Sequence, residues 1–140
     1  MTMAFRHDGA GMIVVDTSAL MAIALAEPEG DACMAVLETE ERMLISAATF
    51  AEALIVGGRR GIGEEIAGLI RGLELEIVPV TSASATRTAD AYARWGKGIH
   101  PAALNFGDCF AYALAAEEGC PLLFVGTDFS RTDARRALPS

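Results

Sequence analysis

Four acidic residues of this chain stand in segments that are otherwise apolar or built of small residues. Asp16 ends the run MIVVD, and Asp128 follows the run LLFVGT. Glu52 lies within SAATFAEALIV, and Asp108 lies within LNFGDCFAYALA. A carboxylate in apolar surroundings has a high desolvation cost unless it is hydrogen-bonded, paired or bound to a metal. The four acids therefore suggest one shared cation site.

The chemistry of this acid set follows from its oxygen ligands. Carboxylates held close together raise one another's pKa and oppose ionisation, and a divalent cation removes that cost. Oxygen ligands favour magnesium or manganese, and zinc is disfavoured because the set contains no histidine or cysteine. A magnesium-type ion can activate water and stabilise charge on a phosphodiester. The residues alone indicate a metal-dependent phosphoryl-transfer or hydrolase site.

Each of the four acids also has a purely structural explanation. Asp16 could be a turn or cap residue before a helix, and Asp128 could cap the segment that follows it. Glu52 could be a rim residue whose carboxylate reaches solvent. Asp108 could be the third helical residue of a capping arrangement with Asn105. Four independent placements at compatible ends of one sheet would be a coincidence, so a shared site is the favoured interpretation.

The elements that must position these acids alternate between strands and helices. Short apolar runs predict buried strands, and N-cap residues followed by helix-forming segments predict helices. Strands are predicted at 12–15, 43–46, 76–80 and 122–125. Helices are predicted at 18–26, 29–41, about 47–56, 62–73, about 82–95 and 106–118.

Several helix boundaries are predicted from individual residues. Thr17 and Ser18 are suitable N-caps for the first helix, and Ser46 or Thr49 is a suitable N-cap for the third. Gly57 and Gly58 are predicted to end that third helix, because glycine is the usual residue just past a helix terminus.

This order of elements predicts the fold class. Continuous apolar strands between helices are typical of a parallel sheet covered on both faces. Right-handed crossovers then give an α/β fold, a three-layer α/β/α sandwich with a central parallel sheet. Sites in such sheets form at the carboxyl ends of strands, where Asp16 and Asp128 stand. Helix spacing directs Glu52 and Asp108 inward or to the rim, and it places Ile55 on the core-facing stripe.

Composition sets the broad class of protein. The chain has 140 residues, 52% of them apolar, which is enough for one domain at 12–140 preceded by a loose extension at 1–11. No apolar run of about 18 residues predicts a membrane span. Three cysteines without metal-ligand spacing favour free thiols in a reducing cytoplasm. The net charge of −8 argues mildly against nonspecific nucleic-acid binding.

Four segments, in this order, resemble the PIN-domain ribonucleases, and most closely the VapC-type toxins of bacterial toxin–antitoxin pairs. The matching segments are VVDTSAL (14–20), ISAATFAEAL (45–54), HPAALNFGDCFAYALA (100–115) and LLFVGTDF (122–129). The resemblance spans about residues 12–133, and LNFGDCFAYALA is its most specific part.

The resemblance implies a PIN-like fold and an Mg²⁺- or Mn²⁺-dependent endoribonuclease that cleaves RNA phosphodiester bonds by metal-activated water. The implied metal-site and catalytic acids are Asp16, Glu52, Asp108 and Asp128. The implied partners are an RNA substrate and a cognate antitoxin protein. The small-residue helices further favour a homodimer.

The resemblance also implies supporting residues around the acids. Thr17 or Ser18 would support the site by hydrogen bonding, and Asn105 would orient the site or cap its helix. Asp133 is a second acid in DFSRTD and could assist, but the family pattern favours Asp128 as the metal-site acid.

Two other function classes fit part of the pattern. A noncatalytic PIN-like module would keep the fold and the acids in order to bind a structural metal or a basic partner. Phosphate-handling α/β enzymes also place an aspartate after the first strand. The haloacid-dehalogenase type needs a second aspartate at the position where this chain has Ser18. A response-regulator receiver needs a lysine near the last strands, and this sequence has no lysine after Lys97.

Overall fold

The computed structural model describes residues 11–139, so the predicted N-terminal extension lies outside the described residues except for its last position. The elements of the described chain are β1 (Met12–Val15), α1 (Thr17–Ala24), α2 (Gly30–Thr39), β2 (Arg42–Ser46), α3 (Ala47–Arg59), α4 (Gly63–Gly72), β3 (Glu76–Val78), α5 (Ser82–Trp95), α6 (Phe106–Glu118) and β4 (Leu122–Leu123).

The four strands form one parallel sheet in the order β3-β2-β1-β4. Val14 of β1 is level with Leu44 of β2 on one side and with Leu122 of β4 on the other. The chain therefore moves outward from β1 through β2 to β3 and then returns to the opposite side of β1. Such a reversal of strand order opens a crevice at the carboxyl ends of the two strands that flank it, here β1 and β4.

Helices cover both faces of the sheet. Ile13 and Val15 point into a core packed by residues of α1 to α4. Val14 points the other way, into a second core packed by residues of α5 and α6. Successive strand residues face opposite sides, so apolar side chains on both faces require helices on both faces. The three-layer α/β/α prediction is confirmed.

Two predicted helix boundaries are wrong. The N-cap of α1 is Asp16, whose side chain accepts the Ser18 backbone N–H, and Thr17 is the first helical residue. Helix α3 continues through both glycines to Arg59. A Cβ atom on Gly57 would lie 2.9 Å from the Ile66 side chain of α4, so this glycine permits close helix packing and does not end the helix.

The last two predicted strands are shorter than expected, since β3 ends at Val78 and β4 at Leu123. Beyond β4 the chain returns to the sheet edge, where Leu122 and Arg136 form a single parallel bridge. Within residues 11–139, no helix has the length and apolar character needed to cross a membrane.

Candidate active site

Asp16 directly follows β1 and is buried, with 5% of its surface exposed. Its carboxylate accepts hydrogen bonds from the Ser18 backbone N–H at 3.0 Å and from the Ser18 hydroxyl at 2.7 Å. The same hydroxyl accepts the Val125 N–H at 3.0 Å, which links Asp16 to the segment after β4. Asp16 is therefore both the helix cap and a buried acid at the crevice between β1 and β4.

Glu52 lies on α3 and is half-buried at the rim of the sheet. The Thr17 hydroxyl donates a hydrogen bond to Glu52 Oε1 at 2.6 Å. This bond joins the first residue of α1 to the middle of α3. Ile55, one turn beyond Glu52, is 57% exposed, so its predicted place on the core-facing stripe is wrong and α3 turns this edge to solvent.

Asp108 is the third residue of α6 and forms a capping box with Asn105. The Asp108 N–H donates to Asn105 Oδ1 at 2.8 Å, and Asp108 Oδ2 accepts the Asn105 N–H at 3.0 Å. Asp108 is 9% exposed, and the neighbouring Ala111 is fully buried. The capping explanation is confirmed, and it places the same carboxylate at the buried start of the helix.

Gly107 gives the Glu52 carboxylate space against the first turn of α6. A Cβ atom on Gly107 would collide with Glu52 Oε2 and would lie 2.9 Å from Glu52 Cδ. The N-terminus of a helix favours negative charge, so this is a favourable place for a carboxylate. Sequence reasoning does not single out Gly107. Its only signal is a glycine within a helical turn, directly before a candidate acid.

Asp128 lies in the exposed turn after β4. The next residue, Phe129, is 1% exposed and packs against Phe124 with 5.1 Å between the ring centroids. The buried ring anchors the turn and so fixes where the Asp128 backbone lies.

Asp133 contacts side chains of α5 and α6. Its carboxylate accepts a short hydrogen bond from the Tyr112 hydroxyl and lies 3.6 Å from an Arg94 guanidinium nitrogen. These contacts tie the C-terminal segment to α5 and α6. The structure thus brings Asp16, Glu52 and Asp108 into contact with supporting residues of the crevice, while it binds Asp133 to a different set of partners.

The four predicted acids interact through their charges. The pKa of Asp108 is raised to about 7, chiefly by burial; the negative charges of Asp16, Asp128 and Glu52 add to the rise and the Asn105 N–H opposes it. Burial also raises the pKa of Asp16, and the negative charge of Glu52 adds to this rise. The carboxyl of Asp108 is therefore acted on by the charges of the other three predicted acids.

The donor chemistry of this acid set fits Mg²⁺ or Mn²⁺, since all its ligands are carboxylate oxygens. Within residues 11–139, no three Asp, Glu, His or Cys side chains already stand at the spacing of a formed metal site. The repulsion that raises the pKa of Asp108 is the interaction that a bound cation would relieve. The Gly107 cradle also leaves the Glu52 carboxylate beside the first turn that carries Asp108. The residues fit a hard divalent cation by chemistry and by charge.

Comparison with known proteins agrees with this fold. Residues 13–135 match the family described as PIN domain. Ribonuclease VapC30 of Mycobacterium tuberculosis is 41% identical over 131 residues, which cover 91% of this chain and all of that protein. Ribonuclease VapC of Mycolicibacterium smegmatis is 39% identical over 124 residues, which cover 86% of this chain and 96% of that protein.

Among solved structures, the chain is similar to VapC20 of Mycobacterium tuberculosis, described as a sarcin–ricin loop cleaving toxin. The TM-score is 0.74 at 16% identity, over 91% of this chain and 99% of that one, which supports the shared fold. The family match and the relatives over nearly the whole chain show that this protein belongs to the PIN-domain family, within its VapC-type toxin group.

Proposed function

We propose that this protein is a metal-dependent endoribonuclease that acts as the toxin of a toxin–antitoxin pair. The observation that carries the proposal is the charge of three acids acting on the buried carboxyl of Asp108, at the carboxyl ends of β1 and β4. Clustered acids in a cleft are typical of catalytic sites, and a bound cation would relieve their mutual repulsion. The names of the VapC ribonucleases support the same activity.

In the proposed mechanism, Asp16, Glu52, Asp108 and Asp128 would hold Mg²⁺ or Mn²⁺. A cation bound there would activate water as the nucleophile and neutralise charge on the phosphate during in-line displacement. The chain's own residues orient the acids through contacts already described. Three residues do this by donating hydrogen bonds: the Thr17 hydroxyl to Glu52, the Ser18 N–H and hydroxyl to Asp16, and the Asn105 N–H to Asp108.

The contacts of Asp133 support a role outside the ligand set. Its carboxylate is held by Tyr112 and Arg94, so we propose that Asp133 positions the C-terminal segment that carries Asp128.

An unpaired RNA strand is the substrate that best fits the surface beside the acids. Phe106, the first residue of α6, is 73% exposed and meets the Phe110 ring edge-on at 4.9 Å. Exposed aromatic rings bind single-stranded nucleic acid by stacking on its bases. The names of the VapC ribonucleases support RNA as the substrate class.

A protein partner is part of the proposal. The net charge of −8 favours a partner with a basic segment, as an antitoxin would provide. Exposed apolar side chains, including Ile55 and Ile99, favour a homodimer. All three cysteines are buried and free, which supports a reducing cytoplasm. Light scattering of the purified protein would test the dimer directly.

The proposed activity is tested by measuring cleavage of a single-stranded RNA with Mg²⁺, with Mn²⁺ and with a chelator. Asp16→Asn should lower the cleavage rate by about 100-fold or more, because the carboxamide cannot supply the negative charge of a ligand. Asp90→Asn, an exposed acid on α5, is the matched control and should cleave like the wild type. Equal cleavage by all three proteins, or cleavage that survives chelation, would contradict the proposal. Tight partner binding without any cleavage would favour the noncatalytic module.

A further inference from the structure

Gly107 is the only residue of the α6 first turn that has no side chain, and the Glu52 carboxylate occupies the vacant space. A Cβ atom on Gly107 would meet three carboxylate-group atoms at once, colliding with Oε2 and lying 2.9 Å from Cδ and 3.3 Å from Oε1. The Thr17 hydroxyl holds Oε1 at 2.6 Å. The Glu52 carboxylate is therefore fixed between two contacts, one on α1 and one on α6.

The backbone does not require glycine at this position. Gly107 is absent from the residues of the described chain whose φ angle is positive, and it is the second residue of a 13-residue helix. Alanine forms such a turn more favourably than glycine, because glycine loses more backbone freedom on folding. Alanine at this position would stabilise the helix itself more than glycine does. Glycine is needed here because the neighbouring Glu52 carboxylate leaves no space for a Cβ atom.

We propose that Gly107 is a positioning residue of the active site, whose missing Cβ sets how closely the Glu52 carboxylate approaches the turn that carries Asp108. This inference rests on the proposed metal-dependent ribonuclease. A side chain at 107 would push the flexible end of Glu52 away and leave the helix backbone in place. The effect would then fall on metal binding and cleavage, while the fold would be unchanged.

The test is Gly107→Ala in the full chain, with Gly58→Ala as the matched control. Gly58 also lies within a helix, and a Cβ atom there would meet nothing within 4 Å. Gly107→Ala should lower kcat and the Mn²⁺ affinity of the metal-free protein by about 10- to 100-fold each, as loss of residues that orient ligands does. Its melting temperature should stay close to that of the wild type, because the gain from alanine in a helix roughly offsets the loss of the Thr17 bond to Glu52. Gly58→Ala should match the wild type in kcat and Mn²⁺ affinity.

A double-mutant cycle separates positioning of Glu52 from any other effect. In the Glu52→Ala background there is no carboxylate to displace, so adding Gly107→Ala should not lower Mn²⁺ affinity further. A full additional loss in that background would overturn the inference, as would wild-type kcat and Mn²⁺ affinity for Gly107→Ala. Absence of wild-type cleavage would instead overturn the proposed function, while the Mn²⁺ titrations would still decide the role of Gly107. If the wild type binds no Mn²⁺, both proposals are overturned.

Discussion

Replacing Asp108 by asparagine should stabilise the metal-free protein, and should do so more strongly as the pH rises. The pKa of Asp108 is raised to about 7 in the folded protein, chiefly by burial, from the ordinary value of 3.8 that applies to the unfolded chain. Between these values the folded state keeps a proton that the unfolded state releases. The free energy of unfolding of the wild type therefore falls as the pH rises through this window. Asparagine cannot ionise, so the variant escapes this loss.

The size of the effect follows from the two pKa values. Their difference is about three units, and each unit corresponds to about 1.4 kcal/mol, so the upper limit is about 4 kcal/mol above pH 7. The variant keeps the capping bond, because an asparagine carbonyl oxygen can still accept the Asn105 N–H. We therefore expect Asp108→Asn to be about 2 to 4 kcal/mol more stable than the wild type at pH 8, and to differ little at pH 4.

The assay is urea denaturation with a chelator present, at half-unit steps from pH 4 to pH 8.5. Asp16 also has a raised pKa, but it is present in both proteins and its contribution largely cancels in the difference. Asp90→Asn is the control for a lost surface charge and should shift stability by less than about 0.5 kcal/mol. A stability difference between Asp108→Asn and the wild type that does not change with pH would refute the reasoning. Lower stability of the variant at pH 8 would refute it equally.

Three further substitutions test individual contacts. Thr17→Val removes the hydrogen bond to Glu52 and should lower the cleavage rate by about 10-fold. It should also lower the free energy of unfolding, measured by urea denaturation, by about 1 to 2 kcal/mol. Unchanged cleavage would contradict the role of this hydroxyl. Ser18→Ala leaves the Val125 N–H without its partner and should lower the free energy of unfolding by about 1 to 3 kcal/mol, measured by urea denaturation. Phe106→Ala should raise KM for single-stranded RNA by about 5- to 150-fold with kcat nearly unchanged, which is the loss of one stacked base; a fall in kcat alone would contradict stacking.

The sheet was predictable because its strands are short, continuous apolar runs. β1 lies where MIVV predicted it, and the helices on both sides follow from apolar residues on both faces of each strand. Asp16 and Asp108 could likewise be placed, since one ends a strand and the other stands three residues after a capping asparagine. These features are local, and local patterns can be read from a single segment.

The remaining features depend on contacts between distant segments. Gly57 resembles a helix terminus in sequence, and only the approach of Ile66 on α4 explains why the helix continues. Ile55 has the spacing of a buried residue, but no element within residues 11–139 covers that edge of α3. The partners of Asp133 come from two different helices, which no spacing rule within DFSRTD could identify.

The strand order also determines when during synthesis the site can exist. β1 emerges first but pairs on one side with β4, and the turn that carries Asp128 comes after β4. The bridge between Leu122 and Arg136 secures β4 only after residue 136 has been made. A ribosome-bound chain that has not reached residue 128 has Asp16, Glu52 and Asp108 but not Asp128. The proposed acid set therefore stays chemically incomplete until synthesis has passed β4.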